Sequence, residues 1–286
     1  IEQLPPFLSL ASCLENLVLS DLEVDGSQIL VAVCNSNTPL KVLKLTNISF
    51  HTNLNLANLK LPAALMYVDF TKSSFSASAF KDIMALITSK RKTDLLPNVD
   101  NATISFASDA QKNPVLMVKM PSIILNKEGY ESFKDFNYGA MQSNICEFDW
   151  SNNRIPAPVV PFFFKFLNTQ KKMRILILNN IRLDKQALFF QKLQEYVFNI
   201  KLPGLDMTAG LYKKFLFTFY DSLKNQPFIR RCCVVGRGGG DEYVLKYTEL
   251  IKSLPNVTEI VADGFLPRNL EFLLLMWRAI YDSKCI

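Results

Sequence analysis

One histidine, His51, is all the imidazole in 286 residues, which deprives the chain of the usual proton carrier of hydrolytic sites. The same scarcity leaves the six cysteines, at 13, 34, 146, 232, 233 and 285, without histidine partners for a zinc site, and no two of them form a Cys-x-x-Cys pair. Glycine is sparse too, at ten residues. The only glycine-rich stretch, "VVGRGGGDEY" (234–243), has neither the Gly-Lys-Ser/Thr of a P-loop nor the Gly-x-Gly-x-x-Gly of a dinucleotide site. It reads as a turn that places Asp241 near a helix N-cap. No Gly-x-Ser-x-Gly elbow accompanies His51, which is expected in a solvated loop. No apolar run reaches the roughly 18 residues of a membrane-spanning helix, since "PFFFKFL" (161–167) is interrupted by Lys165. Lys and Arg give a net charge of +6 but are spread along the chain without forming a stripe. These absences argue against an enzyme, a cofactor or metal site, a nucleic-acid binder and a membrane span.

The chain is 49% apolar and 20% charged, enough for a large core. Several cysteines fall on apolar faces, where a thiol acts as a small hydrophobe. This favours a reducing, cytoplasmic compartment. Strand alternation is expected to send one of Cys232 and Cys233 inward and the other outward. Glu147 and Asp149 are same-face neighbours on a strand, not an acid/base pair. Among the 22 phenylalanines, Phe163, Phe190, Phe215 and Phe219 lie on helical stripes and are expected in the core.

The organising signal is a repeat, apolar-x-x-apolar-x-apolar-x-x-(Asn or apolar)-x-apolar. It occurs as Leu14, Leu17, Leu19, Leu22, Val24; as Leu40, Leu43, Leu45, Ile48, Phe50; and as Leu65, Val68, Phe70, Ser73, Phe75. It returns at Val115, Val118, Met120, Ile123, Leu125; at Ile145, Phe148, Trp150, Asn153, Ile155; and at Met173, Leu176, Leu178, Ile181, Leu183. A seventh copy is assigned to Val197, Ile200, Leu202, Leu205, Met207, weaker ones start near Phe228 and Val257, and a degenerate one is expected around Val99 to Ile104. Between copies run helical stripes such as Phe80, Ile83, Met84, Ile87 and Tyr243, Tyr247, Leu250, Leu254. "NTPL", "NQPF" and "SLPNV" place a proline at helix exits. A strand and a helix that alternate in this way bury their apolar faces by stacking successive units.

On this pattern the chain resembles the leucine-rich-repeat family, in its long-repeat, ribonuclease-inhibitor-like class. The resemblance implies an α/β fold: a curved solenoid with parallel strands on the concave face and helices on the convex face, one domain over 1–286 with about nine or ten repeats. Within the class, "CNSNTPLKVLKLTNISF" (34–50) is similar to the junctions of cytoskeletal members such as the CARMIL proteins, which regulate actin capping protein, and tropomodulin. Innate sensors and ubiquitin-ligase substrate receptors share such junctions, so the resemblance implies either kind of protein partner, and a structural spacer stays open beside them. The first residues, "LPPFLSLASCL", look like the tail of a preceding helix, as in a fragment of a longer protein. The last helix is expected to cover the final repeat with Leu270, Leu273, Leu274 and Trp277.

If Leu17 and Leu19 point inward, their neighbours point outward, and the same register marks a candidate binding surface. It comprises Asn16, Val18 and Ser20; Val42, Lys44 and Thr46; Tyr67, Asp69 and Thr71; Met117 and Lys119; Glu147, Asp149 and Ser151. It continues with Ile175, Ile177 and Asn179; Asn199 and Lys201; and Glu259, Val261 and Asp263. A face of mixed charge with interleaved apolar groups suits a protein ligand better than a phosphate backbone.

Overall fold

Strand residues alternate between core and surface as the repeat requires. The computed structural model describes residues 4–54, 59–89, 115–207, 212–235, 240–263 and 270–282. In it, Leu43, Leu45, Val68 and Val118 are buried, while Val18, Lys44, Tyr67 and Met117 reach the surface. Two compact units divide the chain, one of Ile1–Phe148 with Thr169–Lys172, the other of Asp149–Asn168 with Met173–Ile286.

The first unit runs α1 (Leu4–Leu10), β1 (Asn16–Ser20), α2 (Gly26–Asn35), β2 (Val42–Thr46), β3 (Ser49–Phe50), β4 (Tyr67–Asp69), β5 (Ser74–Phe75) and α3 (Ala77–Ile87). It continues with β6 (Leu116–Lys119), β7 (Ile124–Leu125), α4 (Lys127–Glu131) and β8 (Ile145–Asp149). Strands β1, β2, β4 and β6 pair side by side, all parallel. A second parallel ladder joins β3, β5 and β7. The copy expected at Val99 to Ile104 lies outside the described residues; β4 and β6 pair directly with one another.

The second unit runs β9 (Arg154–Ile155), α5 (Val160–Thr169), β10 (Ile175–Ile177), β11 (Arg182–Leu183), α6 (Gln186–Ile200) and β12 (Gly204–Asp206). After them come α7 (Lys213–Leu223), β13 (Arg231–Val235), α8 (Gly240–Ser253), β14 (Glu259–Asp263) and α9 (Leu270–Asp282). Its strands β10, β12, β13 and β14 are parallel neighbours in that order, and β9 pairs with β11.

Two backbone devices recur and fix the repeat. At strand entry one carbonyl accepts two successive N–H groups of the next copy: Glu15 from Lys41 and Val42, Lys41 from Met66 and Tyr67, Pro203 from Arg230 and Arg231, Arg230 from Thr258 and Glu259. At strand exit a left-handed corner appears at Asp21, Asn47, Lys72, Ser122, Asn152 and Asn180, with φ between 53° and 60°. Four of the six are Asn or Asp, the non-glycine residues that enter this region most readily. Corner N–H groups donate to the following copy, as Asn47 does to Thr71 O and Asn152 to Asn179 O. Side chains reinforce them, with Asn47 donating to Asp21 and Asn180 to Asn152.

In the third copy a polar side chain takes the place of the repeat's Asn. Fully buried Ser73 donates to Leu45 O at 2.8 Å and accepts from Ile48 N at 3.2 Å, replacing the missing amide. Asp25 caps α2 by accepting from Ser27 N, and the same carboxylate takes the N–H groups of His51 and Thr52 in the next copy. His51 itself is exposed, as expected of a loop residue.

Aromatic rings fill the space between strands and helices. Phe50 stacks on Phe75 at 4.8 Å and meets Phe70 edge-on, and the run continues through Phe80 to Phe133. The second unit has its own run from Trp150 through Phe163, Phe164, Phe189 and Phe190 to Phe219, Tyr220 and Tyr247. Phe163, Phe190 and Phe219 are buried as the helical stripes predict, and Phe215 is half-buried. Gly26 is required by this packing, because a Cβ there would overlap the Phe50 ring.

Two expectations need correcting. The seventh copy is shifted: α6 runs through Ile200, Lys201 caps it in the left-handed conformation, and the strand begins at Gly204. The pattern overlaps itself here, since Val197-Ile200-Leu202 and Leu202-Leu205-Met207 have the same spacing, and Pro203 marks the true strand entry. On α9, Leu274 and Trp277 are exposed, at 59% and 58%, and among the described side chains Met276 and Ala279 are the buried ones. The helix is apolar nearly all round, so periodicity does not select its inner face. The side chains of Leu270, Leu273 and Cys233 lie outside the described residues, while Cys34 and Cys232 are buried as thiols. Strand, left-handed corner and helix, repeated in that order, are the leucine-rich-repeat fold.

Candidate functional site

In the first unit the outward strand residues form three rows across the strands. Asn16, Val42, Tyr67 and Met117 are in register, then Val18, Lys44, Asp69 and Lys119, then Ser20 and Thr46. Adjacent rows lie two residues apart along each strand and so share a face. Val18 is 58% exposed and Met117 36%, while Val42, Lys44, Tyr67 and Lys119 are half-buried.

Tyr67 organises this surface. Lys44 Nζ lies 5.4 Å from its ring centroid and Lys119 Nζ 5.7 Å, so ammoniums from the strands on both sides converge on one aromatic ring. The Tyr67 hydroxyl donates to Asp69 Oδ2 at 3.1 Å, and Asp69 Oδ1 accepts from Thr71 N at 2.9 Å and Thr71 Oγ1 at 2.5 Å. Asp69 is only 8% exposed, so these donors replace the water it has lost. Among the described residues neither lysine forms an ion pair with a carboxylate.

On β8, Glu147 and Asp149 are both half-buried, and Asp149 Oδ1 accepts from Ser151 N at 2.9 Å. Ser151, expected outward, is buried, and its hydroxyl accepts from Asn179 N; it holds the strand exit of the second unit.

The second unit places Ile175 and Ile177 outward and half-buried, in register with Gly204 and Asp206, then Arg231 and Cys233, then Glu259 and Val261. Arg231 closes a fork on Asp206, Nε to Oδ1 at 3.0 Å and Nη2 to Oδ2 at 2.8 Å, and Nη1 also donates to Glu259. Gly204 leaves room for it, because a Cβ there would stand 3.2 Å from both Arg231 Cβ and Ile175 Cγ1. Lys201 and Asn199, placed on this face by the sequence pattern, are exposed on α6 and its cap instead. Gly204, Asp206 and Arg231 take their place. The proline before Gly204 was the available signal for the first two; Arg231 belongs to one of the two weaker copies, the one that starts near Phe228.

Away from the strands, the first unit has a cavity of about 420 Å³ between α3 and the segment Asp135–Met141, with Leu59, Leu86 and Phe136 among its walls. Part of its polar lining is engaged locally: Asp82 accepts from Leu54 N, and the Thr88 and Ser89 hydroxyls donate to carbonyls of α3. The strand face therefore holds the better-formed polar constellation.

The fold and this face define a leucine-rich-repeat array with a patterned strand surface. No protein-family model matches the sequence, and no curated protein matches it. Among solved structures the chain is similar to the leucine-rich repeat-containing protein LegL7 from Legionella pneumophila. The TM-score is 0.48 at 11% identity, over 99% of this chain and 96% of that one. Among the described residues no helix is long and apolar enough to cross a membrane.

Proposed function

We propose that the chain is a non-enzymatic interaction module whose strand face recognises another protein. The observation that carries this reading is the first unit's face, where Val18, Tyr67 and Met117 are laid out beside Lys44 and Lys119 with their backbones fixed by the parallel ladder. Apolar and aromatic groups interleaved with charge are the chemistry of protein interfaces, and rigid strands present them at little ordering cost. The narrower reading, taken from the junction "CNSNTPLKVLKLTNISF", is a cytoplasmic, CARMIL-like regulator of actin assembly.

Affinity capture from a cell extract tests the broad reading, with the wild type compared against Val18→Arg/Met117→Arg after circular dichroism shows that both fold. A partner held by the wild type and lost by the variant is the expected result; identical captures would move the search to the helices. Titration with purified actin capping protein tests the narrower one, and absence of binding at micromolar concentration removes it.

A further inference from the structure

The solvent side of α9 is unlike that of the helices before it in the second unit. The exposed residues of α7 include Lys214, Thr218 and Asp221, and those of α8 are Glu242, Glu249 and Lys252 around one Leu245. On α9, Leu274 is 59% exposed, Leu275 38%, Trp277 58% and Tyr281 78%. Leu274, Trp277, Arg278 and Tyr281 recur at i, i+3, i+4 and i+7 and so form one stripe, while buried Met276 and Ala279 lie on the opposite side. A contiguous apolar stripe on an outer helix marks a contact site. Two charges frame it, Glu271 three residues before Leu274 and Arg278 three residues after Leu275.

We infer that this stripe joins two molecules of the chain, their α9 helices packed antiparallel about a two-fold axis at Leu274–Leu275. The stripe's own order selects this partner. Read antiparallel against itself, it sets Leu274 opposite Leu275 and Glu271 opposite Arg278, each pairing made twice by symmetry. Trp277 and Tyr281 add aromatic area beside the leucines. Arg278 is only weakly tied within its own helix, since it approaches Asp282 at 3.8 Å with both side chains largely in solvent. The charges of α8, which packs against α9, do not oppose the contact. Glu242 pairs with Lys213, Lys246 with Asp221 and Glu249 with Lys224, and Asp241 is half-buried. Lys252 and Asp282, in the last turns of the two helices, are opposite in sign. One helix pair gives an interface at the small end, below about 1,200 Å², so the association is of micromolar strength. The strand-face reading plays no part in this inference.

Sedimentation velocity of the 286-residue chain over a micromolar concentration series tests it. The wild type is expected to pass from monomer to dimer. Tryptophan emission should shift to shorter wavelength as it does so, because Trp150 is already buried and Trp277 alone has exposure to lose. Leu274→Glu/Trp277→Glu changes two exposed positions and is expected to stay monomeric with an unchanged circular dichroism spectrum. Glu271→Arg and Arg278→Glu each set like charges opposite one another and are expected to weaken the dimer about tenfold. Their equimolar mixture restores both opposite-charge pairs and is expected to associate as tightly as the wild type. A wild type that stays monomeric throughout the series overturns the inference. So does a dimer that survives Leu274→Glu/Trp277→Glu, which would place the contact on another face. A mixture that associates no more tightly than either charge variant alone overturns the antiparallel pairing, and the inference with it.

Discussion

Asp69 and Asp206 occupy the same place in their repeats, the last residue of a three-residue strand, and they are 8% and 3% exposed. Each must recover the hydrogen bonds it lost to burial, and they do so differently. Asp69 is satisfied by neutral donors from its own chain segment, the Tyr67 hydroxyl and the Thr71 N–H and hydroxyl. Asp206 is satisfied by the guanidinium of Arg231 from the adjacent strand. Where neutral donors serve the buried carboxylate, the neighbouring lysines are not committed to it. Where a cation serves it, that cation is committed to the fold. The source of the donor separates a carboxylate held by its own segment from one held across strands.

The largest test of that contrast is Arg231→Leu. It leaves Asp206 buried without its cation and is expected to destabilise the protein by about 3–5 kcal/mol, read by urea unfolding. Replacing both partners, Arg231→Leu/Asp206→Leu, is expected to recover most of the loss, since the desolvated charge is then gone. The contact to Glu259 adds little, because that carboxylate is half in solvent. A loss under about 1 kcal/mol for Arg231→Leu would put it among ordinary surface cations and erase the difference between the units.

Asp25 extends the first unit's rule to its helical side. Burial pushes its carboxyl upward, but hydrogen bonds from Thr52, Ser27 and His51 outweigh that and bring its pKa down to about 2. A carboxyl depressed in the folded state contributes stability above its unfolded pKa of about 4, and that contribution disappears as pH falls through about 2. Asp25→Ala is expected to cost about 1–2 kcal/mol at pH 7, allowing for partial solvent exposure, from the lost helix cap and the lost link to the next copy. Unfolding curves of wild type and variant should converge below pH 2. A gap that persists there would mean that shape, not charge, holds this junction.

Most of this architecture was legible because the repeat is written in apolar spacing, and spacing is what burial selects. Leu43, Leu45, Val68 and Val118 are inside, and Lys44, Tyr67 and Met117 outside, as alternation requires. The failures came where spacing is degenerate. Leu202 serves equally well as the third residue of one reading or the first of another, so Lys201 was assigned to a strand that starts at Gly204. The left-handed corners at Asn47, Asn152 and Asn180 stand one residue before the Asn-or-apolar position of the repeat, where apolar spacing carries no signal for them. The convergence of Lys44 and Lys119 on Tyr67 was out of reach, since it depends on β4 pairing directly with β6 across a long stretch of sequence.

The smallest expected effect completes the contrast. Lys44→Ala and Lys119→Ala each remove a cation–π contact that is worth about 0.5–1 kcal/mol at exposed sites, and each also removes the like-charge repulsion between the two ammoniums at the same ring. The two terms oppose one another, so each variant is expected to lie within about 0.5 kcal/mol of the wild type in urea unfolding. That near-neutrality is informative beside the Arg231 result, because both kinds of residue sit half-covered on parallel strands of their own copies. A lysine variant that lost about 2 kcal/mol would be holding the sheet together, and the first unit's face would then be a second structural charge network and no longer a display.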